Sequence, residues 1–195
     1  MNRAVRIAST VLVVCAGIAF GVVAMTGVVA AVVFPTTRDL DPTLPDYAAY
    51  SGPHWSLAAG ILAERVFQVG FLVIGVALAG ALISVVLLAI GRRGGGGFPA
   101  VRVGLTLLTL GIFFAHVGWL QPRMDDAAGA YRAAALVGDN DAAGEAKARF
   151  DSMHPTASRL IGATTFAAFA LFVVSAWAAS GGSSHSRPGE RTGES

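Results

Sequence analysis

The side chains of this chain best suited to chemistry are imidazole, carboxylate and guanidinium groups set in or beside apolar segments. Three of the four histidines, His54, His116 and His154, fall at the same ends of three such segments. Glu64, Arg65 and Gln68 follow His54, Arg123 follows His116, and Ser158 and Arg159 follow His154. Helical spacing gives several of them a shared face. Thr106, Thr109, Phe113, His116 and Arg123 recur at three, four and seven residues, Glu64 and Gln68 are one turn apart, and His154, Ser158 and Thr165 repeat the pattern. Turned inward, these stripes predict one outward-opening polar pocket made by His54, Glu64, Arg65, Gln68, His116, Arg123, His154 and Ser158. Such a pocket could bind or move a small solute or a metal ion. Ionisable groups at membrane depth belong in a bundle interior or a wet cavity, since lipid penalises them.

His116 is the sharpest of these groups because it lies inside a charge-free span. It reads as a metal or haem ligand or a proton carrier, or else as a neutral imidazole bonded to a neighbouring helix. His154 precedes Pro155 and reads equally as a group at a helix start. Glu64 and Arg65 are a gate or, on the reading favoured, members of structural ion pairs with Arg123 or Asp125; adjacent helical residues do not face each other. Met124 and Met153 beside His116 and His154 are soft ligands that would suit Cu(I), or are simply packing. No cofactor is expected. The alternative is a redox module, with haem b held by His116 and either His54 or His154, or with copper on His and Met. A third reading is a structural subunit of a membrane complex. HExxH, Walker, CxxC and GxSxG signatures are lacking, so the common hydrolase and nucleotide chemistries fall away and a non-enzymatic protein is expected.

The elements that must position these groups are read from charge. Ile7–Thr37, Val66–Gly91, Val103–Pro122 and Leu160–Ser186 contain no Asp, Glu, Lys or Arg. Runs of about 18 or more such residues span a bilayer as helices. With 54% hydrophobic and 13% charged residues and a mean hydropathy of +0.64, the lipid bilayer is the expected partner. The fold expected is an all-α, integral membrane four-helix bundle over residues 1–180. Its helices are read at about 5–34, 54–90, 100–121 and 156–179, with an extramembrane helical hairpin at about 123–153 and a disordered tail at 181–195. Pro35 is expected to end the first helix, Pro122 to kink or interrupt the third, and Pro155 to open the fourth. Gly138-Asp139-Asn140-Asp141 reads as a break with capping residues for the helix after it. Gly17 with Gly21, and Gly80 with Ser84, are small-xxx-small pairs that let helices approach, and they suggest a homodimer.

The first apolar run is too long for a signal peptide and reads as a retained anchor. The single Cys15 excludes a disulfide framework, and a net charge of +2 argues against nucleic acid as a partner. Thirteen of the 14 basic residues are Arg, a bias expected of a GC-rich bacterial genome. Basic residues tie at seven on each side of the four spans. Arg3, Arg6, Arg92, Arg93, Arg102, Arg187 and Arg191 are nevertheless packed into short segments, which carry more topogenic weight than long loops. Both termini are therefore placed in the cytoplasm of a bacterial inner membrane. The histidines then face outward, and the bundle is expected to have a smooth inner half and a polar outer mouth.

A resemblance is carried by Val33-Phe34-Pro35, by the GILAERVF stretch, by His116-x2-Trp119-x-Gln121-Pro122-Arg123 and by Phe150-Asp151-x-Met153-His154-x3-Ser158. On these residues the chain resembles the small four-span membrane proteins of unknown function related to animal transmembrane protein 205, over most of residues 8–178. The resemblance implies the four-span fold and topology, and no catalytic residues come with it. The animal member's association with drug and metal resistance implies efflux or trafficking. The Pro-rich first outer loop and the GGGG inner loop depart from that family.

Overall fold

Small and branched apolar residues at four- and three-residue steps give the first helix one buried stripe: Ala8, Leu12, Ala16, Ala19, Val23 and Thr26. The computed structural model describes residues 3–91 and 98–180. The expected Gly-rich inner loop with Arg92 and Arg93, and the expected disordered tail at 181–195, lie outside them. The described residues form α1 (Arg3–Leu40), α2 (His54–Gly91), α3 (Phe98–Phe114), α4 (Gln121–Leu136) and α5 (Asn140–Ser180). A π-helical stretch, Ala115–Leu120, fuses α3 to α4, and a short 3-10 turn at Pro45–Tyr47 lies in the loop before α2. No strand occurs among the described residues.

Three proline expectations are corrected. Pro35 lies inside α1, which continues to Leu40, and Pro155 lies inside α5 instead of opening it. A proline removes one i→i−4 hydrogen bond and crowds the preceding turn, yet both of these rings are exposed and the helix runs on past each of them. Near Pro35 the Thr37 hydroxyl donates to the Val33 carbonyl at 2.6 Å. The third, Pro122, does not interrupt its helix. The π stretch precedes it, and the Gln121 N–H reaches the His116 carbonyl, one residue further back than in an α-helix. The outer hairpin arms are thus not separate helices. They are the upper ends of two continuous rods, Ala100–Leu136 and Asn140–Ser180. Between them the chain turns through Gly138, whose N–H donates to the Ala135 carbonyl while the Asp139 N–H donates to Ala134. That is the paired closure of a Schellman end, and it needs the positive φ of 75° that Gly138 supplies. The Asp139 carboxylate then caps α5 by accepting from the Ala142 N–H at 3.1 Å.

Four helices are long and apolar enough to cross a membrane. At 38 residues, α1 and α2 are each roughly 57 Å long, about twice the hydrocarbon thickness. Their outward sides carry Leu72 at 69%, Val76 at 67% and, on α5, Phe166 at 77% exposure, an apolar belt far beyond what water favours. α1 packs against α2 and α5, and α3 also packs against α2 and α5, closing a ring of four helices. Gly80 sits tight on α1, since a Cβ there would lie 2.8 Å from Cys15 Sγ, and Gly17 faces the Phe172 ring of α5. Gly21 has nothing near its Cβ position. Gly17 and Gly80 are thus consumed inside the protomer, and the homodimer expectation draws no support from them.

The inner half is not smooth. Ser9, Ser84, Arg102 and Ser175 are buried there, at the level of the apolar cluster formed by Val5, Ala8, Leu12, Val85, Leu88 and Leu171. Arg102, only 2% exposed, is the largest fully buried side chain of the described residues. Its place beside a charge-free run puts it with the loop charges in the sequence, but the first turns of α3 carry it into the bundle.

Candidate functional site

The half of the bundle nearer the α4–α5 turn opens where α4 parts from α2. α4 leans on α5, with no comparable packing onto α2. Between them is a cleft of about 600 Å³, walled by the upper parts of α1, α2, α4 and α5. Its lower walls are apolar and aromatic: Val23, Phe34, Phe67, Phe71, Phe150 and Ile161. Its rim carries Glu64, Asp125, Arg132, Lys147, Asp151 and His154.

Of the residues predicted for a pocket, Glu64, His116, His154 and Ser158 line this cleft, from α2, the π stretch and α5. His54, Arg65, Gln68 and Arg123 do not. His54 starts α2 and is occupied by the outer loop. Its Nδ1 accepts from the Leu44 N–H at 2.9 Å, and Nε2 is 3.1 Å from the Tyr50 carbonyl, so the ring proton sits on Nε2 and donates there. Both nitrogens are engaged, which removes His54 from any haem pair. Gln68 is exposed and donates to Glu64 at 3.1 Å, and Arg65 is exposed and outside the cleft lining. Arg123 is turned outward over the Trp119 ring, 4.6 Å from its centroid. The ion-pair partner of Glu64 is Arg132, not Arg123, and Arg65 makes no ion pair with Asp125.

The π stretch explains the misplacement of Arg123. A seven-residue step from His116 stays on one face only if every turn holds 3.6 residues. One extra residue in the π turn moves the face on by one, and Met124 is buried there instead. Met124 packs with Leu120 and Ala157, and Met153 packs against the same apolar cluster. Their surroundings are those of core thioethers. Among the described residues no three His, Cys, Asp or Glu side chains converge as a metal set.

His116 forms part of the cleft floor. It is 3% exposed, neither ring nitrogen has a hydrogen-bond partner among the described residues, and its ring meets the Phe71 ring edge-on at 5.1 Å. Leaving a buried polar group unmatched costs on the order of 1–3 kcal/mol. It also borders a void of about 10 Å³ lined by Thr26 and Thr164, about one water in size. Those hydroxyls donate to their own helices, to the carbonyls of Val23 and Leu160, which leaves their lone pairs free to accept.

At its top the cleft is bridged, from α4 and α5 to the loop before α2 and to α2 itself, by groups that sequence reasoning missed. The Tyr131 hydroxyl lies 2.9 Å from that of Tyr50 and 3.0 Å from Ser56 Oγ, joining α4 to the outer loop and to α2. Asn140 Oδ1 accepts from the Ser51 N–H at 2.8 Å. Lys147 pairs with Asp151 at 2.6 Å. Burial first, then the hydrogen bond to Tyr131, pushes the Tyr50 phenol above its usual range. The signal available was that Tyr131 and Arg132 are the two large side chains in an otherwise alanine-rich stretch.

Comparison with known proteins is silent. No family model, curated protein or solved structure matches the chain. The cleft must therefore be read from its own chemistry.

Proposed function

We propose that the chain is a multi-pass protein of the bacterial inner membrane that binds, and serves to move, a small solute through its outer cleft without catalysing a reaction. The four long apolar helices and their exposed apolar belt support membrane insertion. The arginines of the short connecting segments support cytoplasmic termini, which turns the cleft outward. The likeness of the α3–α5 string to the transmembrane protein 205 family belongs to the same reading. The observation that carries it is His116: a buried imidazole, unmatched on both nitrogens, at the foot of a cleft with a charged rim. Polar groups converging on a mostly apolar cleft of this size are the usual form of a small-molecule site. Native mass spectrometry of protein released from its own membrane tests it. Wild type should carry small-molecule adducts, and His116→Ala and Glu64→Gln should reduce them between about twofold and tenfold, the worth of one net hydrogen bond. Thermal unfolding of both variants should stay close to wild type. Equal adducts in all three proteins would make the cleft a structural feature only.

A further inference from the structure

We infer that the solute is a lipophilic organic cation. This rests on the solute-binding reading of the same cleft and adds its chemical class. Volume comes first: about 600 Å³ is far too large for a bare ion and falls in the range of drug-sized ligands. The lining comes next. Apolar and aromatic side chains from α1, α2 and α5 make the walls, and the rings of Phe67, Phe71 and Phe150 among them are of the kind that attracts a cation. The rim sets the sign. Three carboxylates, Glu64, Asp125 and Asp151, meet two full cations, Arg132 and Lys147. Glu64 and Asp151 are each paired with one of them. Asp125 takes only the Gln121 amide N–H, at 2.8 Å, and pairs with no cation among the described residues. The remaining net charge of the rim is its own. His116 supplies the independent sign of a guest, since its imidazole is buried, unmatched and part of the cleft wall. In its neutral form an imidazole offers one N–H and one lone pair, so the sign is set by the carboxylate surplus above it, which repels an anion.

The test uses the full chain in lipid nanodiscs and three probes of similar shape: tetraphenylphosphonium, tetraphenylborate and neutral triphenylphosphine oxide. Saturable binding should be seen for the phosphonium and be at least tenfold tighter than for the other two. Asp125→Asn should weaken it about fivefold, the order of one partly exposed charge contact. Asp126→Asn, which alters the exposed neighbour outside the cleft, should leave it unchanged. Equal or tighter binding of the borate or the oxide overturns the inference, as does no saturable binding of any probe. The native-mass adducts then decide separately whether the cleft takes a solute at all. Equal effects of Asp125→Asn and Asp126→Asn would also overturn it, by reducing the effect to general surface charge.

Discussion

The Tyr50–Tyr131–Ser56 chain is where single residues decide the behaviour of the outer mouth. The Tyr50 phenol is held neutral by burial and by the hydroxyl of Tyr131. Its folded value lies above the unfolded one, so its contribution to stability is full below about pH 10 and is lost as pH rises through the folded value. Wild type should therefore lose stability progressively in alkali, and Tyr50→Phe should flatten that part of the profile. At neutral pH the same substitution should cost about 0.5–1.5 kcal/mol for the lost hydrogen bond. Chemical unfolding followed from pH 7 to 11 reads both effects. A Tyr50→Phe profile parallel to wild type would put the alkaline sensitivity elsewhere. At this scale Glu64, His116, His154 and Ser158 were legible as cleft residues, since ionisable and hydroxyl groups on apolar helices have few other places to go. Arg102 was not legible: sequence adjacency to a loop says nothing about which way a helix's first turn faces.

Among the elements, the α4–α5 turn has the most specific demand. Gly138 holds φ of +75°, and a Cβ there would lie 2.7 Å from the Cβ of Ala49 in the outer loop. Gly138→Ala should cost at least about 1–2 kcal/mol from the left-handed backbone alone, and should lift the hairpin off the outer loop. Thermal unfolding gives the first effect. Limited proteolysis near residue 137, faster than in wild type, gives the second. Helix existence was legible from the charge-free runs, and the break at Gly138 from its turn residues. Helix ends at prolines were not, because a missing N–H is a local cost that neighbouring helices can offset. The heptad-like count across residues 115–120 failed for a different reason. A π turn leaves no mark in residue type, so a regular seven-residue step from His116 puts Arg123 on the wrong face.

At the scale of the molecule, four rods packed below and spread above make a bundle open at one end, with α4 and α2 joined mainly by Arg132–Glu64 and Tyr131–Ser56. Its orientation is testable in a Cys15→Ala background. Ser152→Cys, exposed near the outer end of α5, should react with a membrane-impermeant maleimide in intact cells. Ser180→Cys, exposed at the opposite end, should react only after permeabilisation. The reverse pattern would turn the cleft toward the cytoplasm. The π stretch has a consequence in genetic terms as well. Loss of one in-frame codon between Val117 and Leu120 would shorten the step from His116 to Met124 from eight residues to seven, close to two regular turns. The register would become α-helical throughout, and Met124, Tyr131 and Arg132 would keep the faces they hold now. The packed lower bundle would be untouched. The smallest heritable deletion available to this chain would thus be absorbed in a segment that holds one residue in surplus, leaving both the core and the lining of the outer end as they are.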